Sequence, residues 1–208
     1  NGSFFLLKGH MKRLQKSCEY FGFKFNKNNI LQSLENAKRE FSLNIRYKVR
    51  ILLGKTGHIQ LDAYEILSDP HGNKNKNIIV VSTNHTRSGD VFLFHKTTNR
   101  DLYNNEYKKY REKGFMDVIF QNEKNEITEG AISNIFIRKG DRVFTPEIKS
   151  GLLNGIYRQD FINKNKNVIE KILYVEDLIN ADELLLCNSV KGMVKVSLAR
   201  TIKPLDKY

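Results

Sequence analysis

The stretch Asn125–Ile137, NEITEGAISNIFI, decides how this chain is read. It sets one carboxylate, Glu129, directly before a glycine and between two runs that alternate like strands. A carboxylate held at the end of a strand can face a protonated ring nitrogen and keep it charged. Taken alone, the same glutamate reads first as an ordinary surface residue of a hairpin. Which use applies depends on whether the rest of the chain supplies further parts of a site.

Around this stretch the pattern predicts a mixed sheet. Strands fit Asp117–Gln121, Ala131–Ile137 and Arg142–Thr145, with KGD turning between the last two. A polar helix is expected from about Asn99 to Lys113, stopped by Gly114. Ahead of it, IIVVST (78–83) is a continuous apolar run of the kind buried on both faces of a sheet. Downstream, a helix starts near Gly155, and ELLLC (183–187) reads as a late strand running into Asn188 and Ser189. Asp69-Pro70-His71-Gly72, followed by NKNKN, is the best linker candidate.

The part before the linker reads differently. The chain opens with a turn at Asn1-Gly2 and the apolar run Phe4–Leu7. Met11, Leu14, Cys18 and Phe21 then recur at helical spacing, with Gly22 as the stop. Asn28 or Asn29 can cap a second helix that carries Ile30, Leu34, Ala37 and Phe41 on one side. From Ile45 the period switches to two, and the turn GKTGH leads to a partner strand with Ile59 and Leu61. The expectation is a small α+β domain over 1–73 and a larger mixed-sheet domain over 76–208.

Composition excludes several classes. The 208 residues are 40% hydrophobic and 28% charged, an ordinary soluble composition. No apolar run approaches a membrane span, and NGSFFLLKGH is too short and too poorly flanked for a signal peptide. Cys18 and Cys187 form no CxxC pair, so neither a disulfide framework nor a zinc site is expected, and a reducing cytoplasm fits. The five histidines show no paired metal-ligand spacing. The net charge is +12, but the basic residues are interleaved with asparagine and lack the aromatics of a base-stacking surface. That argues against nucleic acid and suits a small anionic substrate.

Four other places could complete a site around Glu129. Lys96, in FLFHKTTNR, leaves the apolar run Val91–Phe94. A lysine at the end of a buried strand can be partly desolvated, which frees an amine for Schiff-base formation, although most lysines are plain surface residues. GLLNGIYR (151–158) opens a helix whose free N–H groups could hold a phosphate dianion, or one that simply begins there. Arg13, in GHMKRL, could clamp phosphate oxygens or lie exposed on its helix. Asn188-Ser189 ends a strand where a hydroxyl could complete the phosphate shell, or makes a simple turn.

Together these segments resemble the class IV aminotransferase superfamily, the fold type IV pyridoxal-phosphate enzymes, over essentially the whole chain. HMKRL resembles the phosphate-binding arginine helix and points to Arg13. KTTN resembles the segment of the Schiff-base lysine, Lys96. ITEGAISNIF resembles the motif whose carboxylate, Glu129, faces the pyridinium nitrogen of pyridoxal 5'-phosphate, the electron sink of that chemistry. GLLNGIYR is similar to the helix start whose backbone binds phosphate, here Ile156 and Tyr157, and Ser189 stands where a further phosphate contact is found. The resemblance therefore implies a two-domain D-amino-acid aminotransferase-like fold and a pyridoxal-phosphate enzyme that dimerises.

Within the superfamily, HKTTNRDLY, the CNSVKG ending and LLKGHMKRLQKSCEYFGF resemble aminodeoxychorismate lyase domains fused behind aminodeoxychorismate synthase component I. Asn188 resembles a substrate-site asparagine of the lyases, where aminotransferases more often carry glycine. The implied reaction converts 4-amino-4-deoxychorismate to pyruvate and the folate precursor 4-aminobenzoate, with Lys96 as acid and base. A branched-chain or D-amino-acid aminotransferase is the runner-up, and a non-catalytic domain that binds a synthase partner is a third reading. The chain departs from the pattern in two ways. It begins where relatives have already run through roughly 30 residues. The small domain is thus expected to lack its front, either trimmed or preceded by a longer polypeptide such as a synthase. Also, no substrate-facing arginine is recognisable in LLGKTGHIQLD (52–62), which leaves the partner of the substrate carboxylate unassigned.

Overall fold

A computed structural model describes residues 2–66 and 77–199. The chain divides into two compact units, Asn1–Gly72 and Asn73–Tyr208. The residues Asp69-Pro70-His71-Gly72 of the expected linker lie outside the described residues.

In the first unit, helix α1 (Leu7–Phe21) buries Met11 and Cys18, two turns apart, and Gly22 ends it in the left-handed conformation at φ 68°. Helix α2 (Lys27–Arg39) is capped by Asn26, whose side chain accepts the Asn29 N–H at 3.1 Å. The expected caps, Asn28 and Asn29, fall inside the first turn. Asn26 has the extended backbone (φ −122°, ψ 103°) that aims a side-chain oxygen at that N–H. Phe41, expected on this helix, lies beyond its end and stacks on Tyr47 at 4.4 Å. Strands β1 (Tyr47–Leu53) and β2 (Ile59–Glu65) form an antiparallel ribbon. Val49, Ile51, Ile59 and Leu61 from the ribbon close over Met11, Ile30 and Leu34.

The second unit is built on an eight-stranded sheet of β3 (Ile78–Thr86), β4 (Asp117–Asn122), β5 (Ile127–Gly130), β6 (Asn134–Lys139), β7 (Arg142–Pro146), β8 (Val168–Lys171), β9 (Glu183–Asn188) and β10 (Gly192–Leu198). Their spatial order is β5-β4-β3-β10-β9-β6-β7-β8. The β3–β4, β3–β10 and β7–β8 pairs are parallel and the others antiparallel. The sheet curls until its two edges meet, and Ile127 N, on one edge, donates to Leu173 O, just past the other, at 2.7 Å. Ile79, Ile119, Ile135, Ile137, Leu184, Leu186 and Val196 fill the inside.

Alternation sends the intervening residues outward. Val80, Val118 and Phe120 meet Tyr103 and Tyr110 of α3 (Asp101–Glu112), and Phe136, Val143 and Leu185 meet Tyr157 and Phe161 of α4 (Ile156–Lys164). Residues 79–82 of the apolar run in β3 are thus covered on both faces, as suits a strand with parallel neighbours, while Ile78 and Thr83 at its ends are exposed.

Two expectations are corrected. Ala131–Ile137 is not one strand, because residues 131–133 form a tight turn (Gly130 N to Ser133 O, 2.7 Å) and β6 begins at Asn134. The buried carboxylate of Asp117 gathers that turn, accepting from Ser133 Oγ at 2.5 Å and Ile132 N at 3.4 Å. Val91–Phe94 is a 3-10 turn instead of a strand. It is capped by the Asp90 side chain on Phe92 N at 2.9 Å and buries Leu93. Strands β8 and β10 and the short helix α5 (Val175–Ile179) were not anticipated by the pattern.

Candidate active site

The placement of Glu129 depends on an irregularity in β5. Ile119 pairs with Gly130 and Gln121 with Ile127, so Thr128 and Glu129 together face the single residue Phe120. This extra residue is a β-bulge, a device that re-aims a side chain. Ile127 packs inside the curled sheet, and regular alternation would put Glu129 beside it. The bulge instead turns Glu129 towards the loop ahead of α4. There Leu153 N donates to its Oε1 at 3.1 Å and Asn134 Nδ2 to its Oε2 at 3.2 Å.

Glu129 is 8% exposed. Burial pushes its carboxyl up to about 8, against the opposing pull of the Leu153 N–H and the charges of Lys96 and Arg100. Beside it the Tyr103 hydroxyl is buried and faces the Glu129 carboxylate. Burial first, and the Glu129 charge second, hold that phenol well above its usual range.

Lys96 follows the 3-10 turn, which is fixed on three sides. Leu93 packs among Val80, Tyr103 and Phe120. Ser88 gives both its N–H and its hydroxyl to Glu123, at 2.7 and 2.6 Å. Gly151, at φ 89°, approaches so closely that a Cβ there would stand 2.8 Å from Ser88 Cα. Lys96 itself is exposed, not the half-desolvated end of a strand, and its charge bears on Glu129.

Arg100, just before α3, escaped the sequence reading. Its Nη2 donates to Ala131 O, and its guanidinium lies 5.5 Å from the Tyr103 ring. Its Nε is buried without a partner among the described residues. The available signal was an arginine four residues after the candidate lysine, next to a helix start.

Helix α4 opens at Gly155, which offers no side-chain cap, and Ile156 and Tyr157 form the start of its first turn, where backbone N–H groups point towards the helix N-terminus. The loop before it is anchored by Arg158, which is 1% exposed and donates to Pro146 O (2.8 Å), Asn154 Oδ1 (3.1 Å) and Glu170 (2.5 Å).

Asn188 ends β9. Its Oδ1 accepts from Val190 N (3.0 Å) and Lys191 N (2.8 Å), and its Nδ2 donates to Ile132 O (3.2 Å). The amide thereby ties the β9–β10 turn, which contains Ser189, to the turn after Glu129. Arg13 belongs to the first unit, on α1, one turn beyond His10. Burial and the Arg13 charge hold that imidazole down at about 4. The second unit therefore brings together Lys96, Glu129 and the start of α4, while Arg13 is described within its own unit.

This donor set fits pyridoxal 5'-phosphate. A buried carboxylate with two N–H partners suits a protonated ring nitrogen, and an uncapped helix start suits a phosphate. An amine whose charge reaches the carboxylate suits the aldehyde.

The sequence profile described as amino-transferase class IV matches residues 1–199. An aminodeoxychorismate lyase from Bacillus subtilis is 26% identical over 91% of this chain and 71% of its own length. A protein from Thermotoga maritima, described as a branched-chain amino-acid aminotransferase, is 36% identical over 38% of this chain and only 31% of its own length. Among solved structures, one from Mesorhizobium loti described as an amino-acid aminotransferase superposes with a TM-score of 0.85 at 27% identity, covering 94% of this chain and 93% of its own.

Proposed function

The chain belongs to the class IV aminotransferase family, whose members use pyridoxal phosphate, and from this premise we propose that it is an aminodeoxychorismate lyase. The observation that carries the cofactor site is Glu129: a buried carboxylate, bonded through both oxygens and placed by a bulge within reach of the Lys96 charge. The choice of lyase is supported by the extent of likeness. The Bacillus subtilis lyase aligns with 91% of the chain, the Thermotoga maritima protein with 38%.

When bound, the cofactor supplies an electron sink next to the substrate amine. The chain's own groups do the rest. Lys96 Nζ would hold the cofactor aldehyde carbon at rest and, once exchanged for the substrate's 4-amino group, take the proton from C4. Glu129 would stay ionised against a protonated ring nitrogen, whose positive charge offsets the cost of burying the carboxylate. The amides of Ile156 and Tyr157 would hold the phosphate, with Ser189 close to the same shell and Arg13 added on the resemblance of HMKRL. The substrate then divides into 4-aminobenzoate and pyruvate, two products that together contain all its atoms, so no amino acceptor is consumed. Asn188 would contribute to the substrate site through the turn it ties down.

The test is to supply purified protein with pyridoxal phosphate and 4-amino-4-deoxychorismate, without any keto acid. Release of 4-aminobenzoate and pyruvate, abolished in Lys96→Ala, is the expected result. The Mesorhizobium loti likeness favours a second reading, an aminotransferase of branched-chain or D-amino acids. Turnover that strictly requires 2-oxoglutarate would select it. A chain that neither binds the cofactor nor turns over either substrate would be a non-catalytic domain attached to, or associated with, a synthase. A homodimer in the cytoplasm is the setting that this reading expects.

A further inference from the structure

Asn134 joins the two parts of the candidate site. Its Nδ2 donates both to Glu129 Oε2 (3.2 Å) and to Leu153 O (2.8 Å). Leu153 N closes the circuit by donating to Glu129 Oε1 at 3.1 Å. On its other side, Asn134 Oδ1 lies against Gly155, the residue that caps α4, and a Cβ on Gly155 would stand 2.0 Å from it. That approach is open only to glycine, because Asn134 is buried and held by two bonds, so it cannot swing aside. Arg158 secures the far side of the loop through Asn154 and the Pro146 carbonyl. One side chain therefore touches both the carboxylate and the residue from which the first amides of α4 emerge.

We propose that Asn134 is a positioning residue that sets the spacing between the Glu129 carboxylate and the first turn of α4. This rests on the pyridoxal-phosphate reading above and deepens it. A stiff ligand with a cationic ring nitrogen at one end and a phosphate at the other gains from both ends only if the subsites stand at a matching distance. Otherwise the second contact is lost to strain or to ordering of the loop. An asparagine serves this role because its donor can bridge Glu129 and Leu153 while its acceptor packs on Gly155. Aspartate would set a second carboxylate against Glu129.

The test compares binding of pyridoxamine phosphate and pyridoxamine to the cofactor-stripped protein, since neither can form a covalent link to Lys96. Their affinity ratio measures how much the phosphate adds once the ring is bound. In Asn134→Ala the ratio is expected to fall about tenfold, the scale of one lost hydrogen bond to a charged group. A merely structural asparagine would lower the melting temperature, or both affinities alike, and leave the ratio unchanged, which would overturn the proposal. Gly155→Ala pushes on Asn134 Oδ1 from the opposite side and should lower the same ratio. It carries the comparison if Asn134→Ala does not fold, and a wild-type ratio in it overturns the proposal equally. Wild-type protein that binds neither compound would remove the cofactor reading itself, whereas normal wild-type binding with unchanged ratios removes only the role of Asn134.

Discussion

At the scale of single residues, the site depends on one buried acid whose protonation is set by its surroundings. Glu129 titrates at about 8 in the folded protein, with Lys96, Arg100 and the Tyr103 phenol facing it, against an ordinary value of 4.5. Between those values the folded chain keeps a proton that the unfolded chain has released. Stability of the cofactor-free protein should therefore fall as pH rises from about 4.5 to about 8, and then level off. Glu129→Gln removes the titration, so its melting temperature should change less across that range, by an amount worth on the order of a few kcal/mol. Thermal melts at half-unit pH steps check this, and parallel curves for the two proteins would show that Glu129 does not carry the shift. Glu129 and Lys96 were legible in the sequence because each carries its chemistry in a short local motif. Arg100, Tyr103 and Asn134 were not, since their importance comes from what lies across a bulge and a turn. No spacing rule predicts that an arginine in KTTNR should reach Ala131 O.

At the scale of elements, the helices and the alternating strands were legible because period and stop signals are local. Gly22 ends α1 and Gly155 opens α4 where the pattern put them. The strand expected through Ala131 failed for a non-local reason, because the carboxylate that bends residues 131–133 into a turn belongs to Asp117 on β4. The 3-10 turn before Lys96 was missed in the same way. Four apolar residues read as a strand until Asp90 caps them and Gly151 closes over Ser88. That contact can be tested. Gly151→Ala adds a methyl group 2.8 Å from Ser88 Cα at φ 89°, where the backbone already disfavours a side chain. The expected cost is about 1–3 kcal/mol from backbone strain alone, with further loss as the Ser88 loop shifts. Urea denaturation gives the stability, and turnover should fall more than stability does, because the same loop leads to Lys96. A variant as stable and as active as wild type would mean that the loop is not held from this side.

At the scale of the whole chain, each unit has a core of its own, and the second is closed by contact between the two ends of its sheet. Their joint is the Ile127 N to Leu173 O bond, with the Leu173 side chain fully buried among Ile119, Ile127, Ile135 and Leu178. This closure was not legible, because β8 is only four residues long and the segment after it carries no strand or turn signal. It nevertheless governs the site, since Glu129 lies two residues along β5 from the joint. Ile172, the neighbour of Leu173, is 38% exposed, which gives a matched pair of substitutions. Leu173→Ala should destabilise the fold by about 2–5 kcal/mol, the usual cost of emptying a buried leucine site, while Ile172→Ala should stay within about 0.5 kcal/mol of wild type. Because the lost packing lies under β5, Leu173→Ala should also weaken binding of pyridoxamine phosphate at temperatures where the chain is still folded, and Ile172→Ala should not. Equal affinities in both variants would show that β5 keeps Glu129 in place without the closure, leaving that task to the bonds from Leu153 and Asn134 alone.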